Sequence, residues 1–175
     1  DLATNPLQTT NLLLQPLSAT ATDALRSLRR ELAILRGYAW RTSFGAGCSG
    51  GGISPVLTAQ SAPIPGANLT LTVTGLSPAV LTTIGALGFT DQDWNGIPLP
   101  IDLTPAGFTG CTLHIDPALT VITNPAANTA SWSVLLPNNS GIIGQALFAQ
   151  AFPLLIGANP AGVLATNAVE GVVGN

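Results

Sequence analysis

The chain has 175 residues, with five arginines, no lysine and eight carboxylates, for a formal net charge of −3. Charged residues make up 7% of it, against roughly 25% in an average globular protein, while apolar residues make up 46%. An acidic chain with one small basic segment is a poor match to nucleic acid, and its longest apolar run, Ile142 to Gly157, is interrupted by Gln145, Gln150 and Pro153 and too short to span a membrane. With so little charge, the surface must be coated by Thr, Ser, Asn, Gln and Gly or be covered by partners. Lysine is a common guard of exposed sheet edges, so its absence leaves edges that are either covered or available for pairing.

Residues 1–21 read as an extended N-terminal arm. Pro6 and Pro16 bracket the stretch LQTTNLLLQ, and each proline disfavours helix at the residue before it. Leu7 and the run Leu12, Leu13 and Leu14 are its apolar anchors.

Residues 22–44 read as an amphipathic helix and a linker. Thr20 and Asp23 have capping-box spacing, with Thr22 a competing cap, and the helix is expected from about Asp23 to Arg36. Leu25, Leu28, Leu32 and Leu35 follow at steps of three, four and three, which puts them on one face. Arg26, Arg29, Arg30 and Arg36 occupy the other faces, Glu31 has arginines nearby, and Gly37 is a natural stop. All five arginines fall between Arg26 and Arg41, so the first 41 residues carry +2 and the remaining 134 carry −5. A basic helix next to an acidic body can dock on its own molecule or on a neighbouring copy.

Residues 45–175 read as a single disulfide-bridged β-sandwich, of Ig-like or jelly-roll-like kind. The entry GAGCSGGG is a glycine-rich hinge: it lacks the Lys-Ser/Thr of a phosphate-binding loop. Leu69 to Thr74 alternates strictly between apolar residues and threonine. Further strands are expected at Val56–Gln60, Val80–Phe89, Cys111–Ile115, Leu119–Thr123, Thr129–Leu136, Ala146–Phe152 and Val163–Val173, separated by proline, glycine and asparagine turns. Cys48 and Cys111 are expected to form a disulfide closing a loop of about 60 residues, a constraint of roughly 4 kcal/mol; two buried thiols are the alternative. Such a bridge, a chain start at Asp1 and the lack of methionine predict a processed, secreted chain at an extracellular or cell-surface location.

Candidate chemistry is sparse. Asp91-Gln-Asp93-Trp-Asn95-Gly, with Asp102 at the twelfth position, has calcium-loop spacing. The twelfth residue is Asp rather than Glu, however, and Pro98 and Pro100 stiffen the second half, so an acidic turn explains it as well. His114 and Asp116 lie two apart on an expected strand, without a nucleophile to serve. Trp40, Trp94, Trp132 and Tyr38 could stack on sugar, but dispersed aromatics more often anchor a core. Asn68 and Asn138 begin glycosylation sequons. No catalytic residue, metal ligand or cofactor is assigned.

Several stretches carry a wider likeness: GAGCSGGGISPVLTAQSAPIPGANLTLTVTGL, WNGIPLPIDL, GFTGCTLHIDP, TASWSVLLPNNSGIIGQALFAQAF and ATNAVEGVVG. In their order, residues 44–175 resemble uncharacterised β-rich modules of secreted bacterial proteins of the planctomycete type. The resemblance implies a β-rich fold, a Cys48–Cys111 bridge, a secreted location and a structural role for WNGIPLPIDL. It implies no reaction, because those modules have no established activity.

Together these features predict a structural subunit of an extracellular filament or surface assembly whose partner is another copy of itself. The interface residues expected are Leu7, Leu12, Leu13, Leu14, Leu25, Arg26, Leu28, Arg29, Arg30, Leu32, Leu35 and Arg36. A secreted adhesion or carbohydrate-binding module, with polysaccharide as partner, is the second reading.

Overall fold

The computed structural model describes residues 18–175, so residues 1–17 of the expected arm, with Leu7, Leu12, Leu13 and Leu14, lie outside the described residues, and residues 19–21, expected to be extended, belong to the helix. Helix α1 spans Ala19–Arg36 and starts earlier than the capping spacing suggests. Ser18 is the cap: its backbone is extended and its hydroxyl accepts from the Ala21 amide at 3.2 Å. Thr22, the competing candidate, is already inside the helix and donates its hydroxyl back to the Ser18 carbonyl at 3.0 Å. Gly37 ends the helix in the left-handed conformation, at φ 64°.

The strands in chain order are β1 (Trp40–Phe44), β2 (Val56–Ala59), β3 (Asn68–Thr74), β4 (Thr82–Gly88), β5 (Asp93–Trp94), β6 (Ile97–Pro98), β7 (Ile101–Asp102), β8 (Thr112–Leu113), β9 (Leu119–Thr123), β10 (Ala130–Leu135), β11 (Ala146–Leu154) and β12 (Ala168–Val172). The fold is mainly β, as expected. A five-stranded antiparallel sheet has the order β1-β12-β11-β4-β9, and a three-stranded one the order β10-β3-β2. Trp40–Phe44, in the segment expected to be linker, pairs along its whole length with β12 as the edge of the larger sheet. Its alternation of half-buried Trp40, Thr42 and Phe44 with exposed Arg41 and Ser43 is the strand signal.

The core lies between the two sheets. Leu69, Leu71 and Val73 of β3, with Leu57 and Trp132, meet Ala149, Ala151 and Val169 of the larger sheet. On the outer face of the smaller sheet, Thr70 bonds Ser133 and Thr72 bonds Ser131, each at 2.9 Å, so hydroxyl pairs replace charges as the coat. Gly85 on β4 gives Trp132 its room: a Cβ there would lie 2.7 Å from the indole ring. The outer face of the larger sheet is apolar as well, with Phe148, Ala168, Ala86 and Ile115 buried in a second cluster.

Cys48 and Cys111 are bonded to each other across a sequence separation of 63, and both are buried. The bridge ties the glycine hinge to the segment before β8, and the Cys48 amide donates to the Ala165 carbonyl at 2.9 Å. Replacing both cysteines by alanine is expected to lower unfolding free energy by about 4 kcal/mol, read from denaturant titration. Gly85→Ala is expected to cost about 1–3 kcal/mol by overpacking against Trp132.

Candidate functional site

Strand β12 lies inside the larger sheet, between β1 and β11, and Glu170 at its centre faces the helix side. That side chain has 0% of its surface exposed. A carboxylate withdrawn from water is costly unless a cation accompanies it. Helix α1 supplies two, because Arg26 and Arg30 are one turn apart on the face that lies against β1 and β12.

Each arginine bridges both buried acids. Arg30 donates through Nε to Glu170 Oε1, and its terminal nitrogen lies 3.2 Å from Asp91 Oδ2. Arg26 donates to the same Asp91 oxygen. Its Nε lies 3.0 Å from Glu170 Oε2 but off the line of a hydrogen bond, so charge alone holds that oxygen. The second Asp91 oxygen accepts from Gln92 Nε2 at 2.7 Å. Aromatic rings complete the layer: the Arg26 guanidinium sits 3.8 Å from the Phe44 ring centre, and that of Arg30 sits 5.4 Å from Phe148. Burial works against the Arg30 charge, but the hydrogen bonds and fields of Glu170 and Asp91 outweigh it and hold its pKa above the ordinary arginine value.

This cluster inverts the expected use of the helix. Arg26 and Arg30, expected at an interface between copies, are used within one molecule. The leucine face points away from the sheet: Leu28 is 68% exposed, Leu32 40% and Leu35 81%. Leu25 is half-buried, and Ala33, on the arginine side, is fully buried. The physical reason is that Glu170 and Asp91 require counter-ions, a demand stronger than the gain from burying a few leucines. Arg29, Glu31 and Arg36 are exposed and form no ion pair among the described residues.

A second apolar feature opens between the sheets. It is a groove of about 340 Å³ with a nearly all-apolar lining that includes Leu87, Phe89, Leu119, Leu135 and Ile142. Phe89, Leu119 and Leu135 are themselves exposed at its rim. The groove lies where β9 and β10, the outermost strands of their sheets, come together.

The other candidate residues have local duties. Asp91 is committed to the arginines. Asp93 accepts from the Gly96 amide in the β5–β6 hairpin, whose turn uses Asn95 at φ 52°. Asp102 accepts from the Thr104 amide at 2.9 Å, and the Thr104 hydrogen bonds hold its carboxyl below the usual range. Among the described residues, no group of three or more His, Cys, Asp or Glu could hold a metal ion. His114 Nε2 lies 2.9 Å from the Ala46 carbonyl, while Asp116 accepts from the Phe89 and Thr90 amides. The pair thus stitches two different loops. Trp132 is in the core, Trp40 begins β1, and Trp94 is in the β5–β6 hairpin. Asn68 and Asn138 are exposed.

Glu170 is the residue that sequence reading missed. Its signal was there: a lone carboxylate inside the apolar run AVEGVV, with arginines four apart elsewhere in the chain. No described helix is long and apolar enough to cross a membrane. No protein-family model, curated protein or solved structure matches the chain.

Arg30→Ala is expected to cost about 3 kcal/mol, because it removes the donor to a fully buried Glu170 oxygen and leaves Arg26 alone against two acids. Leu28→Gln, on the exposed face, is expected to stay within about 0.5 kcal/mol of the parent at dilutions where the chain is monomeric. Chemical denaturation of both variants checks the contrast.

Proposed function

We propose that this chain is a structural subunit of an extracellular assembly, built by contacts between copies of itself. The observation that carries the reading is the display of apolar surface in two separate places, the helix seam and the end groove, on a chain with few charges to keep copies apart. The Cys48–Cys111 bridge suits an oxidising, extracellular setting.

The joint is head to tail. Helix α1 runs antiparallel to β1, since Arg26 sits over Phe44 while Gly37 adjoins the start of the strand. Ser18 precedes Arg26 by eight residues, about 12 Å of helix. The groove lies toward the other end of the larger sheet and on its opposite face, where Leu87 and Leu147 meet the smaller sheet. In this reading the apolar residues of the arm, Leu7, Leu12, Leu13 and Leu14, are the anchors that the groove takes up. The berth is the groove of the next copy, with the edge of β9, unpaired on its outer side among the described residues, beside it to share backbone hydrogen bonds. A heterologous contact of this kind propagates into a fibre.

Deleting residues 1–17 is expected to abolish fibres, as judged by electron microscopy and light scattering, while leaving the unfolding transition of the body nearly unchanged. Fibres of unaltered geometry after the deletion would overturn the arm-and-groove joint.

A further inference from the structure

The exposed Leu28, Leu32 and Leu35 of α1, with half-buried Leu25, form a heptad seam. With Leu25 and Leu32 at a, Leu28 and Leu35 fall at d, Arg29 and Arg36 at e, and Glu31 at g. Arg26, Arg30 and Ala33, the residues turned toward the body, occupy b, f and b. They lie opposite the seam, so two such helices can meet while their sandwiches stand on opposite sides. The helix is also held in place by the Glu170 and Asp91 pairs, so a partner would meet a formed surface rather than a segment that must first fold.

Charge then selects the partner and its direction. In a parallel pair, g of one helix faces the following e of the other, which brings Glu31 of each copy to Arg36 of the other, in two equivalent pairs. In an antiparallel pair, e faces e and g faces g, which sets Arg29 against Arg29 and Glu31 against Glu31. Like charges so placed are repulsive. Glu31 and Arg36 have no ion-pair partner within the described molecule, so both are free for this use. The stripe therefore matches itself, read in the same direction, in both its apolar and its charged positions.

Resting on the assembly reading above, we infer that the leucine stripe of α1 pairs in parallel with the same stripe of a second copy, Glu31 of each facing Arg36 of the other. This contact is isologous and closes on itself as a two-fold dimer, whereas the arm-and-groove contact is open. The combination makes a double-stranded fibre, with the helices along its seam.

The test uses the full-length chain carrying Leu35→Cys alone. In the parallel pair, position 35 meets position 35 of the second copy, so mild oxidation is expected to give a covalent dimer as the main species on a non-reducing gel. Ser27→Cys, exposed but off the seam, is expected to give little. The buried Cys48–Cys111 bridge is out of reach of exchange in both. Glu31→Arg is expected to weaken pairing of the Leu35→Cys chain, and adding Arg36→Glu to restore it. Absence of the dimer, as when the chain's own first 17 residues cover the stripe, overturns the inference. So does cross-linking that appears only when Leu25→Cys and Leu35→Cys chains are mixed, the antiparallel result. Arm deletion leaves this cross-link intact while removing fibres, so the two ideas fail separately.

Discussion

A carboxylate with no access to water, Glu170, sets the terms for the rest of the molecule. It sits at the centre of an interior strand whose other residues are apolar, and nothing on its own sheet neutralises it. Two guanidinium groups must come from elsewhere, and the only stretch of chain with arginines is α1 and its immediate sequel. Docking of the helix, covering of Phe44 and Phe148, and placement of Asp91 just past β4 are therefore one event. A purely apolar contact could slide or rotate on such a sheet. Two arginines shared between two buried acids fix both the rotation and the register of the helix.

That rotation has a consequence for the surface. Because the polar side of an amphipathic helix is turned inward, its leucines are turned outward. The inversion joins a wider pattern. The smaller sheet is coated with paired hydroxyls in place of charge, and no lysine guards the edges at β9 and β10. An ordinary monomer keeps charge outside and leucine inside. This chain places four of its thirteen charged side chains in one buried or half-buried layer and displays leucine instead, an arrangement suited to a molecule that meets copies of itself.

Strands whose pattern is local were legible in the sequence. Leu119–Thr123 is found residue for residue, and the alternation from Leu69 to Thr74 correctly separates core from coat. The helix, its glycine stop and the Cys48–Cys111 pairing were also readable from spacing and composition. What escaped was non-local. Trp40–Phe44 reads as linker because its pairing partner lies about 130 residues away. Asp91 to Asp102 has the spacing of a ligand loop and reads equally as one acidic turn, although its carboxylates serve an ion cluster, a hairpin turn and a helical turn separately. The leucine seam was visible, but its direction was not, because periodicity gives a face and says nothing of what that face meets. A buried acid inverted it.

The central claim, that buried ion pairs dock α1 on its own sheet, is tested most directly by amide hydrogen exchange on the full-length chain at concentrations where it is monomeric. Amides from Asp23 to Arg36 should then be protected to a degree comparable with those of β12 beneath them. Exchange of those amides at the rate of an unstructured peptide, with β12 still protected, would contradict the account.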